Sequence, residues 1–112
     1  MSPVAVLVVE DYADLRSAIA ETLVRHHYAC DTATNTEDAI VKLRERHYGA
    51  ILLSPCLPIK DDPVMQFLAT SQPEELPKVI LMRDPSIDDE EDAGRSLLKP
   101  FNNEELFRKL AE

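Results

Sequence analysis

The stretch VAVLVVED, residues 4–11, is the part of the sequence that decides the fold. Its first six residues form an uninterrupted apolar run, a pattern typical of a parallel strand that is buried on both faces. An acidic pair, Glu10 and Asp11, follows at the point where this strand must end. Apolar residues then repeat at helical spacing over residues 15–23, so the opening of the chain predicts a strand followed directly by an amphipathic helix.

The same alternation of strand and helix continues along the rest of the chain. Further strands are predicted at residues 28–33, 50–53, 79–82 and 97–98. Start signals for helices stand between them: Thr36 before the second helix, Asp62 with Pro63 before the third, and Asn102 with Glu105 before the last. Each predicted strand after the first is therefore preceded by a helical or loop segment that can cross over the sheet.

Alternating strands and helices predict an α/β protein in which the strands pair in parallel. We expect residues 1–112 to form a single domain with the flavodoxin-like fold, a three-layer sandwich around a five-stranded parallel sheet in the order 2-1-3-4-5. Residues 84–94 contain six acidic residues and only Ile87 and Ala93 as apolar ones. Because this segment has little to bury, we expect the fourth helix to be shortened or disordered.

Composition and charge limit the classes of partner. The chain has 21 acidic and 12 basic residues and a formal net charge of -9, which argues against binding to nucleic acid or to an anionic membrane surface. The same charge permits a cation or a basic protein partner. Leader patterns and long apolar runs are not found, so we expect a cytoplasmic protein. Cys30 and Cys56 lie in or beside apolar runs and are expected to be free thiols.

The functional crevice of this strand order lies at the carboxyl ends of strands one and three, which are followed by Glu10, Asp11 and Ser54. Adjacent carboxylates at a strand exit can share a hard divalent cation. The alternative is that Asp11 only caps the first helix and Glu10 is solvated. Dinucleotide binding is not expected, because residues 10–14 contain no glycine and three carboxylates that would repel a pyrophosphate.

A basic residue reaches the same edge of the predicted sheet. Lys99 and Pro100 follow the fifth strand, so an ammonium group comes close to the acidic pair. An ordinary surface lysine before a helix is the alternative. Taken together with Glu10 and Asp11, Lys99 is interpreted as part of the electrostatics of the site.

Three motifs in this order, VLVVED, ILLSPCLP and LLKPF, resemble the receiver (CheY-like) domains of bacterial two-component response regulators. The resemblance covers essentially the whole chain. It implies a part in signal transduction, with no enzymatic activity of the chain's own. It also implies that Glu10 and Asp11 match the magnesium ligands of the family, and that Cys56 stands where a backbone carbonyl completes the magnesium site.

The resemblance fails at the residues that carry the family's chemistry. The phosphoacceptor aspartate aligns with Ser54, the hydroxyl residue of strand four with Met82, and the switch aromatic of strand five with Ser96. The glycine that usually follows the proline-rich loop aligns with Asp62, and Lys99 is kept. A serine hydroxyl is un-ionised near neutral pH and cannot replace a carboxylate nucleophile positioned against magnesium.

Two hypotheses follow. The first is an atypical receiver domain that works without phosphorylation by binding another protein, either a signalling protein or a second copy. It has no cofactor, and magnesium binding is absent or in the millimolar range or weaker. The second is a metal- or redox-sensing module in which the Cys56 thiolate joins Glu10 and Asp11. A nucleophile–base arrangement that would support an enzyme is not found in the sequence.

Overall fold

The computed structural model describes residues 5–54, 62–70, 76–83, 96–98 and 102–111, with the backbone alone described for residues 83 and 96–98. The strands are β1 (Ala5–Val9), β2 (Ala29–Ala33), β3 (Ala50–Leu53), β4 (Lys78–Arg83) and β5 (Ser96–Leu98). The helices in the described ranges are α1 (Ala13–Arg25), α2 (Thr36–Glu45), α3 (Pro63–Ala69) and α4 (Asn103–Ala111).

The strands form one parallel sheet in the order β2-β1-β3-β4-β5. The predicted α/β class, parallel pairing and strand order are therefore confirmed. The expectation of a shortened or disordered helix between the fourth and fifth strands falls on residues 84–94, which lie outside the described residues.

Helices cover both faces of the sheet, which gives the predicted three layers. Alternate strand residues meet α1 and α4 on one face and α2 and α3 on the other. The first face contains Val6, Val8, Leu52, Ile80 and Met82 with Ile19, Leu23 and Leu106. The second contains Leu7, Val9, Ile51, Leu53 and Leu81 with Ala39, Val64 and Leu68. The apolar run of β1 is buried on both faces because it lies inside the sheet between β2 and β3.

Two of the predicted helix starts are confirmed by side-chain caps. The Val64 backbone N–H donates to Asp62 Oδ1 at 2.8 Å, and Pro63 is the first residue of α3. The Glu105 backbone N–H donates to Asn102 Oδ1 at 2.8 Å at the start of α4. In both cases the cap satisfies a backbone donor that the first turn of a helix leaves without a partner.

The other two helix starts differ from the sequence prediction. The cap of α2 is Asn35, whose Oδ1 accepts from the Asp38 backbone N–H at 2.8 Å, so Thr36 is already inside the helix. The residue before α1 is Tyr12, and no side chain caps this helix, so the expectation that Asp11 caps it is wrong. None of the helices in the described ranges is both long and apolar enough to cross a membrane.

Candidate functional site at the carboxyl end of the sheet

The register of the sheet brings the ends of β1 and β3 to the same level. Val9 is paired with Ala33 on one side and with Leu53 on the other. The next residues continue this pattern, since the Glu10 N–H donates to the Ala33 carbonyl at 3.1 Å and the Ser54 N–H donates to the Val9 carbonyl at 2.9 Å. Glu10 and Ser54 therefore leave adjacent strands at the same edge, as the sequence predicts.

Glu10 is a buried carboxylate, with 2% of its surface exposed. Its Oε1 accepts a hydrogen bond from the Tyr12 backbone N–H at 3.2 Å. Its backbone carbonyl accepts from Arg16 Nη1 at 2.8 Å, so the residue is bonded through both side chain and main chain. Hydrogen bonds to its oxygens lower the free-energy cost of burying a carboxylate. The interpretation of Glu10 as a solvated residue is wrong.

Asp11, the second member of the acidic pair, is exposed. Tyr12 after it is also exposed, over 63% of its surface. The two adjacent carboxylates thus lie in different surroundings, one inside the domain and one in solvent. Among the described residues no group of three or more His, Cys, Asp or Glu side chains could hold a metal ion.

Ser54 is half-buried, and its neighbour on the other side is apolar. The pairing of β3 with β4 runs as far as Leu53 and Leu81, and Ser54 and Met82 are the next residues along the two chains. Met82 is 1% exposed and belongs to the core on the α1 and α4 face, together with Leu106. A thioether offers no proton to a phosphoryl oxygen, because its sulfur is only a weak acceptor.

Several predicted site residues lie beyond what the structure describes. Cys56, Lys99 and Pro100 are outside the described residues, so the pairing of Lys99 with the acidic pair stays a prediction. For Ser96 the backbone alone is described, and it pairs with Leu81 across β4 and β5.

The sequence interpretation missed Arg16, which holds the main chain at the end of β1 from the first turn of α1. A signal for it existed, because a basic side chain one turn into the helix after β1 can return to the strand end. Arg16 therefore helps to fix the position of Glu10 at the end of β1.

Cys30 is a free thiol, as predicted, and it is half-buried in β2. Burial, and secondarily the charge of Asp31, raises the pKa of Cys30 to about 11. Its Sγ lies 3.6 Å from the Asp31 backbone carbonyl. A thiol with a raised pKa is a poor nucleophile and metal ligand, since the thiolate is the reactive form. Cys30 therefore gives no support to the metal- or redox-sensing alternative.

We expect Cys30 to react with a disulfide reagent at pH 8 about ten-fold more slowly than a cysteine in an unfolded peptide. The raised pKa lowers the thiolate fraction about a hundred-fold, and the more basic thiolate is about ten-fold more nucleophilic. The measurement is the rate of thiol release with a Cys56→Ser variant, so that only one thiol is observed. Unfolding the same variant in urea should restore the peptide rate. A native rate equal to the unfolded rate would contradict the assignment of Cys30 as an inert thiol.

Comparison with known proteins gives the fold and not a sequence family. No protein-family model and no curated protein matches the chain. Among solved structures, a CheY-like receiver domain from Methanospirillum hungatei is 22% identical, with a TM-score of 0.76 and coverage of 95% of this chain and 90% of that one.

Two further matches are informative for what their structures contain. The receiver domain of the sensor histidine kinase PA1611 from Pseudomonas aeruginosa, with magnesium coordinated in its active-site cleft, is 21% identical, has a TM-score of 0.78 and covers 96% of this chain and 94% of that one. A chain from the complex of the histidine kinase ThkA with the response regulator TrrA matches at 24% identity and a TM-score of 0.75. The match covers 96% of this chain and 96% of the matched chain. The chain thus has the fold of CheY-like receiver domains.

Proposed function

We propose that the chain is an atypical receiver domain of two-component signalling that acts by binding a protein partner and does not transfer phosphoryl groups. The receiver fold supports the signalling role, and the complex of a receiver-fold protein with a histidine kinase supports a protein as the partner. We propose that the module has no enzymatic activity of its own. The free thiol of Cys30 is consistent with a reducing compartment such as the cytoplasm.

The observation that carries the proposal is that Ser54 directly follows β3 and that Met82 comes directly after the last paired residue, Leu81, in the neighbouring strand β4. Phosphoryl transfer needs an ionised oxygen nucleophile and donors for the transferred group. Ser54 offers a neutral hydroxyl, and Met82 fills the neighbouring position with a buried thioether. Neither an ionised nucleophile nor a donor for the phosphoryl group is present at these two positions, which supports the proposal that the chain does not transfer phosphoryl groups.

The residues present fit a magnesium ion poorly. Two carboxylates, Glu10 and Asp11, follow β1, while Ser54 supplies a hydroxyl where a third carboxylate is needed. One of the two carboxylates, Glu10, is buried and already accepts the Tyr12 N–H. We therefore propose that the protein needs no cofactor and that magnesium binds with a Kd in the millimolar range or weaker, roughly 4 kcal/mol or less.

The direct test is incubation with acetyl phosphate and magnesium, followed by intact-mass measurement. We expect the mass of the protein to stay unchanged, because no carboxylate occupies the position of Ser54. A receiver domain with its phosphoacceptor aspartate, treated in the same tube, shows that the reagent is active. A stoichiometric phosphoryl adduct on this chain would overturn the proposal.

A further inference from the structure

A cavity of about 350 Å³ lies at the end of the sheet opposite to Glu10 and Ser54. It is formed by the carboxyl ends of α2 and α3 and by the residues that precede β3 and β4. Its volume falls within the range of small-molecule sites, about 300–1,000 Å³. The cavity is thus large enough for a ligand and separate from the rim of the proposed receiver site.

One part of the cavity wall is apolar. It is formed by Leu43 at the end of α2, Phe67 and Leu68 in α3, and Pro77 before β4. Leu68 is buried and Phe67 is half-buried, so the Phe67 ring lies partly open to the cavity. Apolar side chains that line a cavity in this way can pack against the apolar body of a small ligand.

The opposite part of the wall is charged and contains Arg44, Arg46 and His47 together with one carboxylate, Glu45. Its main feature is Arg44. The Arg44 guanidinium lies over the Phe67 ring, with Cζ 5.6 Å from the ring centroid. Within the part of the chain that the structure describes, no carboxylate forms an ion pair with Arg44. This cation is therefore held in place by an aromatic ring and keeps its hydrogen-bond donors for another group.

The second arginine of the wall, Arg46, is already paired. Its Nη1 lies 2.9 Å from Asp31 Oδ2, and its Cζ lies 5.4 Å from the centroid of the Tyr48 ring. The Tyr48 hydroxyl donates to the same Asp31 oxygen at 2.6 Å. Burial, and next this hydrogen bond, raises the pKa of Tyr48 above its ordinary value, so the phenol stays a neutral donor. These contacts fix one side of the cavity before any ligand arrives.

We propose that this cavity binds a small aromatic carboxylate, whose ring packs against the apolar part of the wall and whose carboxylate pairs with Arg44. The guanidinium fork matches a carboxylate in two parallel hydrogen bonds, and its weak hydration makes the pair favourable beside apolar side chains. The carboxyl-terminal end of α2 carries partial negative charge and repels an anion, so the carboxylate of the ligand must bind the Arg44 guanidinium and not the helix end. Such a ligand would give the module an input that does not depend on phosphoryl chemistry.

The test uses 4-fluorobenzoate as the probe and 4-fluorobenzamide as its uncharged match. We expect the carboxylate to bind with a Kd of about 1 mM and the amide at least about ten-fold more weakly. Fluorine line broadening measures the affinity, and amide shifts locate the site. The shifts should concentrate at Tyr48 and Leu68 and leave Glu10 and Ser54 unchanged.

Two variants separate the cavity from general charge effects. Arg44→Gln keeps most of the side-chain length but removes the charge, and it should weaken 4-fluorobenzoate binding at least about ten-fold. Arg25→Gln removes an exposed arginine at the end of α1 and should leave binding unchanged. The proposal is overturned if the wild-type protein does not bind the carboxylate up to about 10 mM. It is equally overturned if the amide binds as well, or if Arg44→Gln binds as the wild type does.

Discussion

Replacing Glu10 by alanine is expected to lower the free energy of unfolding by about 2–3 kcal/mol, whereas replacing Asp11 by alanine should change it by no more than about 0.5 kcal/mol. Glu10 is buried, and its Oε1 is the acceptor of the Tyr12 N–H. Truncation leaves that donor without its acceptor and opens a void at the end of β1. Asp11 is exposed, so its side chain can be removed at little cost.

Urea denaturation of the two variants measures this difference, and Glu10→Gln is the matched control. The amide keeps an oxygen that can accept from Tyr12 and nearly the same volume, so we expect a loss of about 1 kcal/mol. A rise in stability on removing Glu10 would contradict the structural role of this residue. It would show that the two carboxylates repel each other, as ligands held together for a cation do.

The parts of the fold that the sequence predicts well are those with local causes. The apolar run of β1 predicts burial on both faces because alternate residues point to opposite sides of a strand. The same period also places Glu10 on the face of Val8, which is a signal in the sequence for the burial of Glu10. Asp62 with Pro63, and Asn102, mark helix starts through bonds that span only two or three residues.

The parts that the sequence does not predict depend on contacts between distant residues. Asp31 in the edge strand β2 accepts from Arg46 and Tyr48, which lie 15 and 17 residues further along the chain. Whether these groups meet is decided by where α2 ends and at what angle the chain returns to β3. The cavity beside Arg44 has the same origin, since its walls come from two helices and two strand connections.

Ser54→Asp is expected to create the magnesium affinity that the wild-type chain lacks. A carboxylate at this position adds a third hard oxygen donor at the strand ends beside Glu10 and Asp11. With a Kd of about 0.3 mM, about 10 mM magnesium stabilises the variant by about 2 kcal/mol, whereas a Kd of about 5 mM or weaker limits the wild-type gain to about 0.6 kcal/mol. Without magnesium the variant should be less stable than the wild type, since like charges are brought together.

Urea denaturation with and without magnesium measures the gain, and Ser54→Asn serves as the control with nearly the same shape and no charge. A response of the wild type or of Ser54→Asn equal to that of Ser54→Asp would contradict the assignment of Ser54 as the missing carboxylate position. We expect Ser54→Asp to remain without a phosphoryl adduct after treatment with acetyl phosphate, because the neighbouring strand β4 still presents Met82, whose thioether cannot donate to a phosphoryl oxygen. Magnesium binding without phosphorylation would therefore show that Ser54 accounts for the missing magnesium affinity and Met82 for the missing phosphoryl transfer. A stable adduct on the single variant would show that a hydroxyl side chain at position 82 is not needed for the transfer.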